Sequence, residues 1–386
     1  MVAIIVAAVG RSSETYIADH INQLFPGRTV VYSISQCPDP TWRSDAPVTY
    51  VHQTLAGRTA RRIASAFGNA GLQRLDFASL ASWLRRHQVR VVLCEYLPQA
   101  AWAFGVCRAL KIPIVAHAHG YDISALSADP AWAQRYRTMV PYLDDVVVVS
   151  EAMKDRAVAL GCSPDVVHVI PCGTVCSPQK PDEAGCDPSD KLLAVGRLIG
   201  KKGPMFLLET FRIIHRRLAS AKLTVVGDGP FREPMAQMVQ AMGITEKVSL
   251  EGFLPNHAVR ERLRSASVFL QHSVTAANGD EEGLPVSILE AMAEGVPVVS
   301  TRHAGIPEAV IDDHNGYLVE PGDCTQMASH TIRLLLDAPL RRRLGAAGRQ
   351  TIIDRYSIEG SIRSLRDVLL RHWPEASTFQ TRKIRT

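Results

Sequence analysis

Residues 282–299 read Glu282-Gly283-Leu284-Pro285-Val286-Ser287-Ile288-Leu289-Glu290-Ala291-Met292-Ala293-Glu294-Gly295-Val296-Pro297-Val298-Val299, and this stretch decides the fold class. Pro285 suits a first helical position, because its missing N–H is an orphan there and its φ is pre-set for the helix. The spacing predicts a helix over 286–294 that stops at Gly295 and feeds an apolar strand over 296–300. Gly283 and Leu284 then offer backbone N–H groups at a helix N-terminus, where unpaired donors and the dipole favour a phosphate. Glu282 stands just before that point, and Glu290 lies inside the helix, roughly 7–8 Å further along at 1.5 Å per residue. Two carboxylates bracketing an anion site suit a ligand with hydroxyls on both sides of a diphosphate. A sugar nucleotide has that chemistry.

The same alternation extends outward in both directions. Apolar runs predict strands over 2–9, 29–34, 48–52, 89–96, 113–117, 145–150 and 167–170, then over 192–198, 222–226, 248–253, 268–272, 297–301 and 316–319. Amphipathic stretches over 14–25, 77–86, 204–218 and 231–242 supply helices between them, so the chain reads as α/β with parallel sheets built from βαβ units. Around 172–191 the pattern breaks at Pro178, Pro181, Gly185 and Pro188, which marks an interdomain linker. The expected division is a first domain over 1–175, a linker over 176–190, a second domain over 191–365, and a C-terminal helix and tail over 366–386. A final helical region is expected over 340–373.

Length and composition agree with two soluble domains. The chain has 386 residues, 46% of them hydrophobic and 21% charged, with a formal net charge of +5 and a pI near 8.8. That balance is compatible with anionic donors and lipid surfaces and far from a nucleic-acid-binding extreme. The eight cysteines show no paired metal-ligand spacing, which points to reduced thiols in a cytoplasmic protein. Residues 1–9 lack a basic leader and are too short for a signal peptide, and no run approaches ~18 apolar residues.

The 282–299 stretch resembles the signature of the retaining glycosyltransferases of family 4, whose two Rossmann-like doubly wound domains face across a cleft in the GT-B fold. The resemblance implies that Glu282, with the Gly283 and Leu284 amides and the adjoining Pro285 and Val286, holds the donor sugar. It implies that Glu290 holds the nucleotide ribose. Gly196-Arg197 ends a strand and Lys201-Lys202-Gly203 precedes a helix, a place where α/β folds bind anions. Arg197 can fork two phosphate oxygens and Lys202 adds a compact charge. Gly227, in Val226-Gly227-Asp228-Gly229-Pro230, reads equally as a plain turn or a ligand contact. Glu251-Gly252-Phe253-Leu254-Pro255 resembles the segment that meets the base, so Phe253 and Leu254 are candidates for the base pocket, with core the other reading for Phe253.

In the first domain, His117-Ala118-His119-Gly120-Tyr121-Asp122 resembles the His-Gly-x-Asp motif of members acting in exopolysaccharide assembly. There His119 would face the donor sugar, with His117 and Asp122 as weaker candidates. Gly10-Arg11-Ser12-Ser13-Glu14-Thr15-Tyr16 resembles the Ser-Glu-Thr-Phe run of the same group. Gly10, Ser13, Glu14 and Thr15 are therefore candidates for a loop that meets the donor or acceptor, with Ser13 an N-cap.

What the resemblance implies is metal-independent transfer of a hexose from a UDP- or GDP-sugar to an acceptor hydroxyl with retained configuration, in exopolysaccharide or other cell-surface glycan synthesis. Arg197, Lys202 and the Gly283 and Leu284 amides would stabilise the leaving diphosphate, and no Asp-x-Asp metal motif or further cofactor is called for. The expected partners are a nucleotide sugar and a lipid-linked oligosaccharide acceptor, with no nucleic acid. Arg58, Arg61 and Arg62 share a possible amphipathic helix with Leu55, Ile63 and Phe67, which reads equally as a solvated face or a peripheral contact with the inner face of the membrane. Other GT-B chemistry (a sugar-nucleotide epimerase, a sucrose- or trehalose-type synthase) and a catalytically silent sugar-nucleotide-binding scaffold stay open. A nicotinamide enzyme is set aside, because no Gly-x-Gly-x-x-Gly follows the first strand.

Overall fold

A computed structural model describes residues 1–11, 14–37, 39, 42–51, 68–176, 190–373 and 375. It divides into two compact units. The first comprises Met1–Val149, Lys154–Ile170 and the segment beginning at Ser361, and the second comprises Ser150–Met153 and Pro171–Gly360.

The first unit holds one parallel sheet of seven strands in the order β3-β2-β1-β4-β5-β6-β7. Its strands are β1 (Val2–Val6), β2 (Thr29–Ser33), β3 (Val48–Tyr50), β4 (Val91–Glu95), β5 (Ile114–Ala118), β6 (Asp145–Val148) and β7 (Val167–Val169). Every residue of β1, β4 and β5 is buried, the continuous burial of a strand covered on both faces. The order reverses between β1 and β4, where Val2 lies beside both Thr29 and Val91.

The second unit repeats the plan with six strands in the order β10-β9-β8-β11-β12-β13. These are β8 (Lys191–Val195), β9 (Lys222–Val226), β10 (Val248–Gly252), β11 (Val268–Gln271), β12 (Val298–Thr301) and β13 (Gly316–Val319). The Pro204–Arg217 helix opens on proline, whose fixed φ suits that position, and buries Leu207, Leu208, Phe211 and Ile214 on one stripe against the sheet. The reversal falls between β8 and β11. In sheets of this kind ligands bind outside the carboxyl ends of the strands that flank such a point.

Each expected strand is present, with ends shifted by up to three residues. The 340–373 region is two helices, Ala338–Arg355 and Ile358–Arg371. They part at Ser357, which bridges to Thr174 in parallel while the Ile358 N–H donates to the Thr174 carbonyl at 3.1 Å. That bridge draws residues from Pro171 on into the second unit, ahead of the boundary expected at 175. Most of the linker expected over 176–190 and the basic helix around Arg58, Arg61 and Arg62 lie outside the described residues.

The first unit regains the chain at Ser361 rather than 366, and side-chain chemistry explains the attachment. Arg366 donates to the carbonyls of Leu24 (2.7 Å) and Gln23 (2.8 Å), capping the end of the Thr15–Gln23 helix. Trp373 packs on Phe25. Asp145, fully buried at the start of β6, receives His372 and His168 at 2.6 Å each and Arg371 at 3.2 Å. Burial alone would raise its carboxyl, but His372, His168 and Arg371 together hold it below the usual carboxylate range. An acid with a depressed folded-state pKa stabilises above its unfolded pKa and stops doing so as pH falls through the folded one. Asp145→Asn is therefore expected to cost about 2–3 kcal/mol near neutral pH in urea unfolding, with the deficit shrinking in strong acid.

Candidate active-site clusters in the two units

In the second unit, β8 ends at Val195 and the chain turns through Gly196 and Arg197 into a short 3-10 turn, Gly200–Lys202. From there the Lys202 side chain folds back over Gly196, so that a Cβ on Gly196 would sit 3.3 Å from its Cε. The Lys202 ammonium lies 3.0 Å from Glu282 Oε1, and both groups are largely buried. Burial pulls the Lys202 ammonium below its ordinary value, with Lys201 and Arg197 pushing the same way and Glu282 opposing. Burial alone would raise the Glu282 carboxyl, but Lys202, Lys201 and His303 hold it below the usual range. The two groups are thus kept as an ion pair at the carboxyl end of β8. Arg197 is exposed and makes no ion pair among the described residues.

The residues expected around the 286–294 helix lie close to their anticipated places, with a correction at each end. Pro285 has ψ 118° and is the N-cap, and the helix is Val286–Ala293. A proline at that ψ is not inside the helix; as N-cap, its carbonyl accepts the first bonds, from the Ile288 (3.1 Å) and Leu289 (3.4 Å) N–H groups. Gly283 and Leu284 therefore lie in the buried loop ahead of the cap rather than in the first turn, and Val286 is the first helical residue. Glu294 forms the C-cap instead of the last turn, followed by Gly295 at φ +74° with its N–H on the Met292 carbonyl.

A relay of three polar contacts, entered from the helix at Ser287, ties it to the strands. Ser287 donates to the Gln271 side chain at 3.0 Å, Gln271 donates to Ser273 at 2.9 Å, and Thr301 donates to the Ser273 carbonyl at 2.7 Å. Glu290 is half-buried and accepts from Asn256 at 3.3 Å; burial raises its carboxyl, opposed by Arg260 and Asn256. Phe253 is 56% exposed, so it is no core residue, and Leu254 beside it is half-buried.

Gly227 has a strict backbone reason. At φ +136°, a Cβ there would stand 1.9 Å from the Gly196 carbonyl oxygen, while the Gly227 N–H donates to the Gly252 carbonyl at 2.7 Å. The ends of β8, β9 and β10 thus close on one another through glycines. Gly227→Ala is expected to lower stability by about 2–4 kcal/mol through strain and overpacking, readable as a drop in Tm.

Sequence reading missed the partners of this cluster. Lys201 is buried and donates to Asp280 Oδ1 and to the Glu281 carbonyl, both at 3.0 Å, pinning the loop that carries Glu282. The signal was a second lysine where one would serve. The Glu282 N–H points at His303 Nε2 at 3.5 Å, for which the sequence held no signal.

The first unit assembles its own cluster beside the β1–β4 reversal. Glu95 ends β4 and is completely buried. Its Oε1 meets His20 Nδ1 at 2.7 Å, its Oε2 meets His119 Nε2 at 3.0 Å, and His117 Nδ1 lies 3.5 Å from Oε2. Burial would raise the Glu95 carboxyl, yet His20, His117 and His119 hold it well below the ordinary value. Burial pushes the His117 imidazole down to about 3 and lowers that of His119 too. His119 is ringed by His117 (4.1 Å between centroids), Tyr16 (4.4 Å) and Tyr96 (4.7 Å).

Tyr96 adopts φ +74°, a backbone state that costs a non-glycine residue about 1–3 kcal/mol and gathers at functional sites. It is held there by its N–H on the His117 carbonyl (2.8 Å) and its hydroxyl on Tyr16 (2.5 Å) and Glu14 (3.1 Å). Burial raises the Glu14 carboxyl. Glu14 is the N-cap of the Thr15–Gln23 helix, Thr15 opens it half-buried, and Ser13 lies outside the described residues. Gly10, at φ +72°, leads out of the loop after β1.

Asp122 is tied into the backbone of this cluster. It is fully buried and accepts from the backbone N–H groups of His119 (3.0 Å), Gly120 (3.1 Å) and Leu97 (2.9 Å). Its role is to shape the turn after His119 and to cap the Leu97–Leu110 helix, whose own N-cap Tyr96 offers no side-chain acceptor. His20, Glu95 and His117 gather one potential metal ligand each within 4.8 Å. The 2.7 Å between His20 and Glu95 is a hydrogen-bond separation, shorter than the roughly 3.3 Å between two ligands of a tetrahedral zinc. Of this cluster the sequence flagged His119, His117 and Glu14. A lone acid closing the apolar run Val91-Val92-Leu93-Cys94 was the available clue to Glu95.

Two parallel-sheet, Rossmann-like units with charged residues at both reversal points define the architecture of GT-B glycosyltransferases. Residues 29–177 match the family described as Glycosyltransferase Family 4, and residues 179–351 match Glycosyl transferases group 1. The chain thus carries both of these glycosyltransferase domains. It is 34% identical over 213 residues to the colanic acid biosynthesis glycosyltransferase candidate WcaL of Escherichia coli (strain K12), covering 54% of this chain and 52% of that protein. It is 30% identical over 222 residues to the amylovoran biosynthesis glycosyltransferase AmsK of Erwinia amylovora, covering 56% and 53%. The chain thus spans about half the length of these curated relatives. Among solved structures, Anabaena Alr3699/HepE in complex with UDP and glucose superposes with a TM-score of 0.77 at 17% identity, covering 95% of this chain and 98% of that one.

Proposed function

We propose that this protein transfers a hexose from a nucleoside-diphosphate sugar to an acceptor hydroxyl with retention of configuration, in the assembly of an exopolysaccharide or another cell-surface glycan. The observation that carries the reading is the buried Lys202–Glu282 pair at the carboxyl end of β8, with exposed Arg197 beside it. A leaving diphosphate gains negative charge as the anomeric bond breaks, and fixed cations stabilise it without reorganising. In this reading Lys202 and Arg197 supply that charge. Glu282 orients the sugar through its hydroxyls, and Glu290, its carboxyl raised by burial, takes the ribose. The attack then comes from the same face as the departing phosphate, whose oxygen accepts the acceptor's proton. Positive charge from these side chains replaces a divalent cation.

Support for the exopolysaccharide setting comes from relatives named for colanic acid and amylovoran biosynthesis. Support for the donor class comes from the UDP and UDP-glucose complexes of the structural neighbour. No helix among the described residues is long and apolar enough to cross a membrane, so a lipid-linked acceptor would be met at the surface. A thermal-shift panel of UDP- and GDP-sugars, followed by NMR of the product anomer and assays in EDTA, tests the reading. Stabilisation by one nucleotide family and an axial-to-axial or equatorial-to-equatorial outcome are expected. Binding of none, or inversion, would overturn it.

A further inference from the structure

Two acids stand one turn apart on the Val286–Ala293 helix and its C-cap, and their partners differ in kind. Glu294 is buried and takes cations, Arg264 at 3.1 Å and Arg260 at 3.7 Å. Glu290 is half-buried and makes one hydrogen bond and no ion pair among the described residues, accepting at Oε1 from the Asn256 amide at 3.3 Å. Asn256 is exposed and opens the Asn256–Arg264 helix, directly after Phe253-Leu254-Pro255. Its Oδ1 accepts from Arg260 Nε at 3.2 Å, so the amide nitrogen is the end that faces Glu290. Arg260 is thereby tied to Asn256 and Glu294, and a neutral amide stands where a cation would be the ordinary partner of a carboxylate. An arginine fork would occupy both carboxylate oxygens, whereas one amide N–H occupies Oε1 and leaves Oε2 to accept from a ligand. A ribose brings two hydroxyl donors on adjacent carbons.

We propose that Asn256 is a positioning residue whose amide fixes the Glu290 carboxylate through Oε1 and leaves Oε2 for the nucleotide ribose, which makes the site selective for ribo- over 2′-deoxyribonucleotides. The inference deepens the proposed function, since it rests on Glu290 meeting the ribose, and every residue it uses lies in the second unit. A pH signature accompanies it. Burial raises the Glu290 carboxyl, with Glu294 adding to the rise and Arg260 and Asn256 opposing it. Glu290 must be ionised to accept from both hydroxyls, so affinity falls as pH drops through its folded value. Without the amide that value rises further, and the acid limb of binding moves to higher pH.

The test is calorimetric titration of the full chain with UDP, GDP and their 2′-deoxy forms, comparing the parent with Asn256→Ala, Asn256→Asp and Glu290→Gln. The parent should bind the ribo form of the base it accepts about tenfold tighter than the deoxy form. Asn256→Ala should lose about tenfold for the ribo form and about twofold or less for the deoxy form, with the acid limb displaced upward. Asn256→Asp keeps the shape and puts an acid at a helix N-terminus, so it should hold the parental Tm yet lose at least as much ribo affinity as alanine. A structural role would weaken both forms alike and leave the acid limb in place, and that result overturns the proposal. A ribo preference that persists in both Asn256 variants, or in Glu290→Gln, overturns it too, while nucleotide binding by the parent leaves the donor reading standing. If the parent binds neither UDP nor GDP, the donor reading itself falls and takes the inference with it.

Discussion

Lys202→Ala is expected to lower kcat/KM for the donor about 10³-fold, roughly 4 kcal/mol of transition-state stabilisation, in a protein that still folds. The lysine is the buried cation at the carboxyl end of β8, and its ammonium sits 3.0 Å from Glu282. Removing it takes away the charge cast for the leaving diphosphate and leaves Glu282 buried beside Lys201 and His303 alone. The Glu282 carboxyl should then rise, and Glu282 would no longer be held against the sugar. Because the two residues form one unit, the Lys202→Ala, Glu282→Ala double variant should be scarcely worse than the poorer single one, a coupling of 1–3 kcal/mol by rough expectation. Steady-state kinetics on all three variants reads this directly. Parental turnover in Lys202→Ala, or fully additive losses, would remove the pair from the mechanism.

The second large effect is on stability. Asp122→Ala should cost about 3–5 kcal/mol, because three backbone N–H groups lose their acceptor inside a fully buried turn. The Leu97–Leu110 helix would lose its cap, and the turn that presents His119 would lose its shape. Asp122→Asn should fall between, since one amide oxygen can still accept while the amide nitrogen faces donors. Urea unfolding measures both variants. A cost under about 1 kcal/mol for the alanine variant would mean that water replaces the carboxylate, contrary to its burial. Loss of activity without loss of stability would return Asp122 to the candidate site residues among which its place in the His-Gly-Tyr-Asp motif first put it.

Some features of this chain are legible in its residues alone and others are not, and the division follows from physics. Parallel strands buried on both faces must be continuous apolar runs, so β1, β4 and β12 announce themselves, and the short apolar runs elsewhere placed the remaining strands. Gly295 and Pro285 bracket their helix because left-handed φ and a missing N–H each allow few positions, although proline's ψ placed it one step outside the helix. Lys202 and Glu282 could be picked out because each lies in a loop after a strand, next to residues with backbone meaning.

The alternation of strands and helices, the two sheets, and the loops where charged groups gather are written in the residues, because periodicity and backbone sterics are local properties. That His20 and His119 share the buried Glu95 carboxylate, that Lys201 belongs to Asp280, and that Asp145 fastens the last helix follow from packing alone. Partners such as His20 and Glu95, 75 residues apart, meet only through sheet order, and burial, which sets their proton affinities, is a property of the packed chain.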